Sequence, residues 1–200
     1  MPKTELTTLK QAVAIRPEHV CSQQTTLRVR QHCLSWSFGD FSVTDNAEAG
    51  SSTKQPQLFT VDGKVGSWSQ RRAVRDASGL PIFDMRRKTS GATWYAELPG
   101  GSDEPLVTLA PRRNDLKDRL DVYVHGEENE YKLEVRGLDI WKKATHIYLN
   151  GSLVMDIKLV NLLSCYVPFL KDNQWDVRVC EGMDASLVSA AGSLDWITLC

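Results

Sequence analysis

Two local concentrations of cationic side chains stand out in this 200-residue chain. Arg71, Arg72 and Arg75 precede a Ser78-Gly79 turn signal, and Arg86, Arg87 and Lys88 follow it. If the flanking segments pair as a hairpin, both groups are expected at the end away from that turn, where several cations would converge on one anion. Arginine suits phosphate because its planar fork donates to two oxygens at once. A second set, Arg112, Arg113, Lys117 and Arg119, flanks the short connection after Ala110. The plain competing reading of either set is a solvated face.

Other chemistry is sparse. His19, His32, His125 and His146 are scattered, with no HExxH and no i, i+4 pair, so no metal is expected. The five cysteines, Cys21, Cys33, Cys165, Cys180 and Cys200, are odd in number, widely spaced and form no CxxC. That pattern predicts a reducing, cytoplasmic setting rather than a disulfide framework. There is no GxSxG, P-loop or GxGxxG, and Pro99-Gly100-Gly101-Ser102 reads as a turn because it lacks the lysine that would meet phosphate. No catalytic constellation emerges, so a non-enzyme without cofactor is expected. A formal charge of −1 with 42% hydrophobic residues describes an ordinary globular protein. It lacks the basic excess that nucleic-acid binding leaves.

These residues need elements to position them. From about Leu27 to Val179 the chain is a succession of short Val, Ile, Leu, Tyr, Phe and Trp-rich segments bounded by Gly, Asn, Asp or Pro, the signature of a β-sandwich or barrel. In 119–125, Leu120, Val122 and Val124 alternate with Asp121, Tyr123 and His125. In 131–136, Tyr131, Leu133 and Val135 alternate with Lys132, Glu134 and Arg136, as in antiparallel strands wet on one face. Asn150-Gly151 is a type I′ hairpin signal, since both positions tolerate positive φ. It also opens a formal Asn-Gly-Ser glycosylation sequon, but the N-terminus has no apolar core of signal-peptide length, so it reads as a turn. About twelve strand-like segments are present, and a meander of that length must curl or close.

The last eighteen residues, Met183 to Cys200, read as one helix that is apolar or small on nearly every side, with Asp184 as its N-cap. The helix is too short to span a membrane and carries Asp195 near its end. A barrel of about twelve strands is wider than its own side chains can fill, and this helix is the natural filling. Residues 1–24 form an N-terminal lead of unpredicted order, and residues 25–200 read as a single barrel domain. Ala47 to Gln57 is a polar insertion, and Asn114 to Lys117 allows about one helical turn.

The order of these features resembles the LURP-one-related proteins, which share the Tubby C-terminal-like fold and are related to the phospholipid scramblases. The likeness runs through TTLRVRQHCLSWSFGDFSVTD, FTVDGKVGSWSQRRAVRDASGLPIFDMRRK, the ATHIYLNGSLVMDIK hairpin and, most specifically, WDVRVCEGMDASLVSAAGSLDW. Two departures, Gln31-His32-Cys33 and the long 47–57 insertion, touch loop detail only. The resemblance implies a closed antiparallel barrel of about twelve strands around a central, buried C-terminal helix. Because Tubby proteins bind phosphoinositides through basic residues, it also implies a phosphoinositide headgroup or an anionic membrane surface as a peripheral partner. Their binding positions do not transfer residue by residue. The family leaves two other roles open. One is a protein-interaction scaffold in defence or stress signalling. The other is a scramblase-like activity, although the chain lacks a calcium-loop signature and a cysteine-rich acylation stretch.

Overall fold

Strands that alternate apolar and polar residues bury one face only, so they require neighbours on both edges and a shared interior. The computed structural model describes residues 5–32, 40–46, 55–64, 66–101, 104–112, 119–126, 129–137, 144–160 and 173–192. Twelve strands run in order: β1 (Thr25–Gln31), β2 (Phe41–Asp45), β3 (Gln57–Gly63), β4 (Arg72–Asp76), β5 (Pro81–Arg87), β6 (Trp94–Glu97), β7 (Val107–Arg112), β8 (Arg119–His125), β9 (Glu130–Gly137), β10 (Ala144–Leu149), β11 (Ser152–Leu159) and β12 (Gln174–Val179). Each is antiparallel to its sequence neighbours, and β1 pairs with β12 to close the barrel, with Leu27 opposite Val177. Closure leaves no exposed sheet edge. In such a meander the connections alternate between ends. The β3–β4, β5–β6 and β7–β8 connections share one end, and β4–β5, β6–β7 and β8–β9 the other.

The interior is lined by the inward residues of every strand, among them Leu27, Val43, Val61, Val74, Phe83 and Met85, all at most 1% exposed. The Asn150-Gly151 turn forms with φ of 50° and 83°, the two positive values that a type I′ connection requires. The C-terminal helix α1 (Leu187–Gly192) lies beside β2 and β3 with Leu187, Val188 and Ala190 buried. It begins four residues later than the apolar run from Met183 predicts, and 193–200, which include Asp195, lie outside the described residues.

The late start has a physical cause. Met183 and Asp184 spend their backbone groups on the N-terminal lead, bridging Val13 and Val20 respectively, so the chain cannot coil there. The lead is an ordered strap over residues 5–24. Thr7 donates its N–H to Leu153 O (2.9 Å), Leu9 to Glu181 O (3.1 Å) and Val13 to Gly182 O (2.9 Å), while Ala185 donates back to His19 O (2.9 Å). Val13 is fully buried, and the His19 ring stands edge-on to Phe59 with centroids 5.1 Å apart. The strap therefore runs across one mouth of the barrel, from β11 to β3. Asp184 acts more widely than an N-cap. It accepts from Ser186 N at 2.7 Å, and also from Ile15 N and Arg16 N of the strap at 2.8 and 2.9 Å.

Candidate functional site: a basic barrel end

The β4–β5 hairpin forms around Ser78-Gly79, with Arg72 opposite Met85. Strand alternation then sends neighbouring residues in opposite directions. Arg72 points inward beside Val74 and is buried, its guanidinium 4.9 Å from the Trp94 ring centroid and 5.8 Å from that of Phe41. Such stacking on aromatic faces is how a barrel interior accommodates a cation. Arg86 points outward, donates from Nε to Glu97 Oε1 at 2.8 Å and lies 5.0 Å over Tyr95. The Glu97 hydrogen bond raises its pKa further. Arg75 sits near the turn, 3.4 Å from Asp62, with Nη1 donating to Gly79 O at 3.3 Å. Three of the six cations are thus engaged in the barrel wall or interior and do not converge with the rest.

The other three come together. Arg71 and Lys88 are exposed, and Arg87 is half-buried with its Nε donating to the backbone at Gly91 O, 3.1 Å away. Arg87 N–H donates to Ser69 O at 2.8 Å, which ties the β3–β4 connection to the start of the β5–β6 connection. Lys64, exposed in the same β3–β4 connection, donates its N–H to Arg71 O at 2.8 Å. Neither 64–71 nor 87–93 contains an acidic residue. Among the described residues no carboxylate pairs with Lys64, Arg71, Arg87 or Lys88. Trp68, at the tip of the first connection, is 100% exposed.

The second set lies at the same end, around the β7–β8 connection. Arg112 is the register partner of Arg119, and Arg119 of Arg136, so three guanidinium-bearing residues occupy one row across β7, β8 and β9. Like charges directly opposite one another are unfavourable, and carboxylates beside the row offset part of that. Arg112 Nε donates to Asp121 Oδ2 at 2.6 Å, Lys132 Nζ lies 3.2 Å from the same oxygen, and Arg136 Nη2 donates to Glu134 Oε2 at 2.7 Å. Burial raises the Asp121 carboxyl, but hydrogen bonds from Arg112 and Lys132 outweigh it and hold the group below the usual carboxylate range. Arg113 and Lys117 lie outside the described residues.

Lys64, Trp68, Lys132 and Arg136 escape the sequence reading. Alternation in 131–136 places Lys132 and Arg136 facing water, but only strand register places them beside Arg112 and Arg119. Trp68 had a weak signal, being set between two serines after a glycine rather than in an alternating segment.

A further polar cluster fastens the wall elsewhere. The fully buried Asp156 carboxylate accepts from Arg178 Nη2 at 2.7 Å and lies 3.0 Å from Lys158 Nζ. Its other oxygen lies 3.4 Å from His146 Nε2, while His146 Nδ1 is 3.1 Å from the Tyr148 hydroxyl. The Asp156 Oδ1 that faces His146 makes no hydrogen bond of its own among the described residues, so the ring lies beside the carboxylate rather than bonded to it.

The family model described as LURP-one-related matches residues 25–192, which takes in all twelve strands and the described helix. The chain belongs to the LURP-one-related family. A curated relative, Protein LURP-one-related 15 of Arabidopsis thaliana, is 20% identical over 184 residues, covering 89% of this chain and 82% of the relative. The X-ray structure of an Arabidopsis thaliana protein superposes with a TM-score of 0.63 at 19% identity, covering 94% of this chain and 99% of the other. At that identity the superposition establishes the shared barrel. The LURP-one-related match begins at Thr25, so the strap lies N-terminal to the matched region.

Proposed function

We propose that this LURP-one-related barrel binds an anionic, phosphate-bearing membrane surface peripherally, end-on, through the basic end that carries Lys64, Arg71, Arg87 and Lys88. The supporting observation is two acid-free connections held side by side, with exposed cations unmatched by any described carboxylate. A chain of net charge −1 gains no attraction to anionic lipid from its total charge, so attraction must come from how charge is placed. Among the described residues no helix is long and apolar enough to cross a membrane, and surface contact is the mode that this reading requires. The row of Arg112, Arg119 and Arg136 lies at the same end, where Asp121 and Glu134 offset part of its charge.

Vesicle co-sedimentation at low salt tests this reading. Phosphatidylcholine vesicles containing phosphatidylserine or a phosphoinositide are expected to bind the chain, and pure phosphatidylcholine is not. Each exposed cation contributes about 1 kcal/mol near such a surface, so Arg71→Ala with Lys88→Ala is expected to weaken binding by about thirtyfold. A wild-type chain that stays in the supernatant at low salt would refute the proposal.

A further inference from the structure

Folding gives no reason for Trp68 to stand where it does. Trp94 and Trp175 fill the core at 4% exposure, whereas the Trp68 side chain lies wholly in solvent at the tip of the β3–β4 connection. The connection is constructed to hold it there. Ser67 N–H donates to Lys64 O at 3.4 Å and Gln70 N–H to Ser67 O at 3.0 Å, forming a turn with Trp68 and Ser69 at its centre. The turn is closed by Gln70 in the left-handed region at φ 48°, a conformation that costs a non-glycine residue energy. The Ser67 hydroxyl braces the tip, 3.3 Å from the Ser69 hydroxyl and 3.3 Å from the N–H of Arg71, which donates to it. The indole is thus displayed on a hydrogen-bonded tip that also carries Lys64 and Arg71, and the Arg87 N–H, donated to Ser69 O at 2.8 Å, holds Arg87 and Lys88 beside it.

We infer that Trp68 is a membrane-interface anchor whose indole enters the headgroup region of a bilayer while the surrounding cations hold lipid phosphates. This inference rests on the anionic-surface reading above and deepens it by assigning the ligand as a bilayer rather than a soluble phosphate. An indole has an apolar body and one N–H donor, and it prefers the boundary where one side is apolar and the other wet. A protein partner fits less well, because the core of a protein interface is depleted of charge and the two connections tied together at this tip carry Lys64, Arg71, Arg87 and Lys88 with no acidic residue. Cations beside an inserted aromatic ring are the two contributions that surface-bound proteins combine, buried apolar area and attraction to anionic lipid. The barrel then docks end-on, and the strap across the opposite mouth faces away from the lipid.

The test uses the full chain with vesicles of phosphatidylcholine and phosphatidylserine. Trp68→Ala is expected to weaken vesicle binding by about tenfold or more, from the loss of apolar area alone. Vesicles with bromine-labelled acyl chains are expected to quench part of the tryptophan fluorescence of the wild type, and Trp68→Phe is expected to abolish that part. A water-soluble inositol polyphosphate should bind wild type and Trp68→Ala equally. If Trp68→Ala binds vesicles as tightly as wild type, or if labelled chains leave the fluorescence unchanged, the anchor is refuted while the electrostatic reading stands. If Trp68→Ala loses the soluble polyphosphate as well, the indole contacts a headgroup rather than a bilayer, and the inference fails. If the wild type binds no vesicle at all, the underlying anionic-surface reading has failed with it.

Discussion

The Asp184 carboxylate accepts the backbone N–H of Ile15 at 2.8 Å across 169 positions of sequence. Its Oδ2 takes the Arg16 N–H as well and its Oδ1 takes that of Ser186, so one buried side chain joins the strap, the closing turn and the start of α1. Substituting alanine leaves three backbone donors without that acceptor, and charge-assisted hydrogen bonds of this kind are worth about 1.5–3 kcal/mol each. Asp184→Ala is therefore expected to destabilise the fold by about 3 kcal/mol or more. Hydrogen exchange provides the local readout, since the amides of Ile15, Arg16 and Ser186 should lose protection far more than those of β8 and β9.

Gly182 and Gly151 provide an internally controlled pair. Both have positive φ, 87° and 83°, so alanine costs each about 1–2 kcal/mol in backbone strain. A Cβ on Gly182 would also meet Leu9 Cβ at 2.9 Å and Leu9 O at 3.2 Å, whereas one on Gly151 meets nothing within 4 Å. Gly182→Ala should lower the urea midpoint clearly more than Gly151→Ala. Equal effects would mean that the strap does not press on the turn.

Ion pairs on this barrel should divide by burial. Arg178→Ala leaves the fully buried Asp156 carboxylate with the half-exposed Lys158 as its close cation and is expected to cost about 3 kcal/mol. Arg75→Ala removes a partner from Asp62, whose side chain is 61% exposed, and is expected to cost less than about 1 kcal/mol. Chemical denaturation of the two variants measures the difference.

Stability should fall on the acid side in two stages. Burial pushes the His146 imidazole down, against the pull of Asp156. The unfolded ring therefore takes its proton first, and stability declines as pH falls from about 6.5 towards the lower folded value. Burial raises the Asp156 carboxyl, yet hydrogen bonds from Lys158 and Arg178 outweigh it and the group titrates below its ordinary range. Its contribution is complete above about 3.9 and disappears as pH falls through the depressed folded value. His146→Gln should flatten the urea midpoint between pH 7.5 and pH 5 while leaving the steeper loss below pH 4.

The barrel was legible because its signals are local. Alternation in 119–125 and 131–136 and the Asn150-Gly151 turn need no knowledge of distant residues, and the family likeness extends along the chain. The strap was not legible, because Val13, Ile15 and Val20 are held by residues around 183 rather than by a repeating pattern of their own. The basic clusters were partly legible. A run such as Arg71-Arg72 records charge, but pleating sends Arg72 onto Trp94 and leaves Arg71 in water. Register alone sets Glu97 near enough to engage Arg86, and Arg136 opposite Arg119. A tryptophan in sequence reads as core, so the exposure of Trp68 emerges only once the β3–β4 connection has a shape.

End-on docking is tested most directly by reversing charge at the two ends separately and measuring binding to phosphatidylserine-containing vesicles as salt is raised. Arg71→Glu with Lys88→Glu alters the basic end, and Glu181→Lys alters an exposed position beside the strap at the other. The predicted result is that the double reversal abolishes binding and flattens its salt dependence, while Glu181→Lys leaves affinity within about twofold. Binding retained by the double reversal, or binding that follows net charge alone and is therefore enhanced strongly by Glu181→Lys, would contradict it.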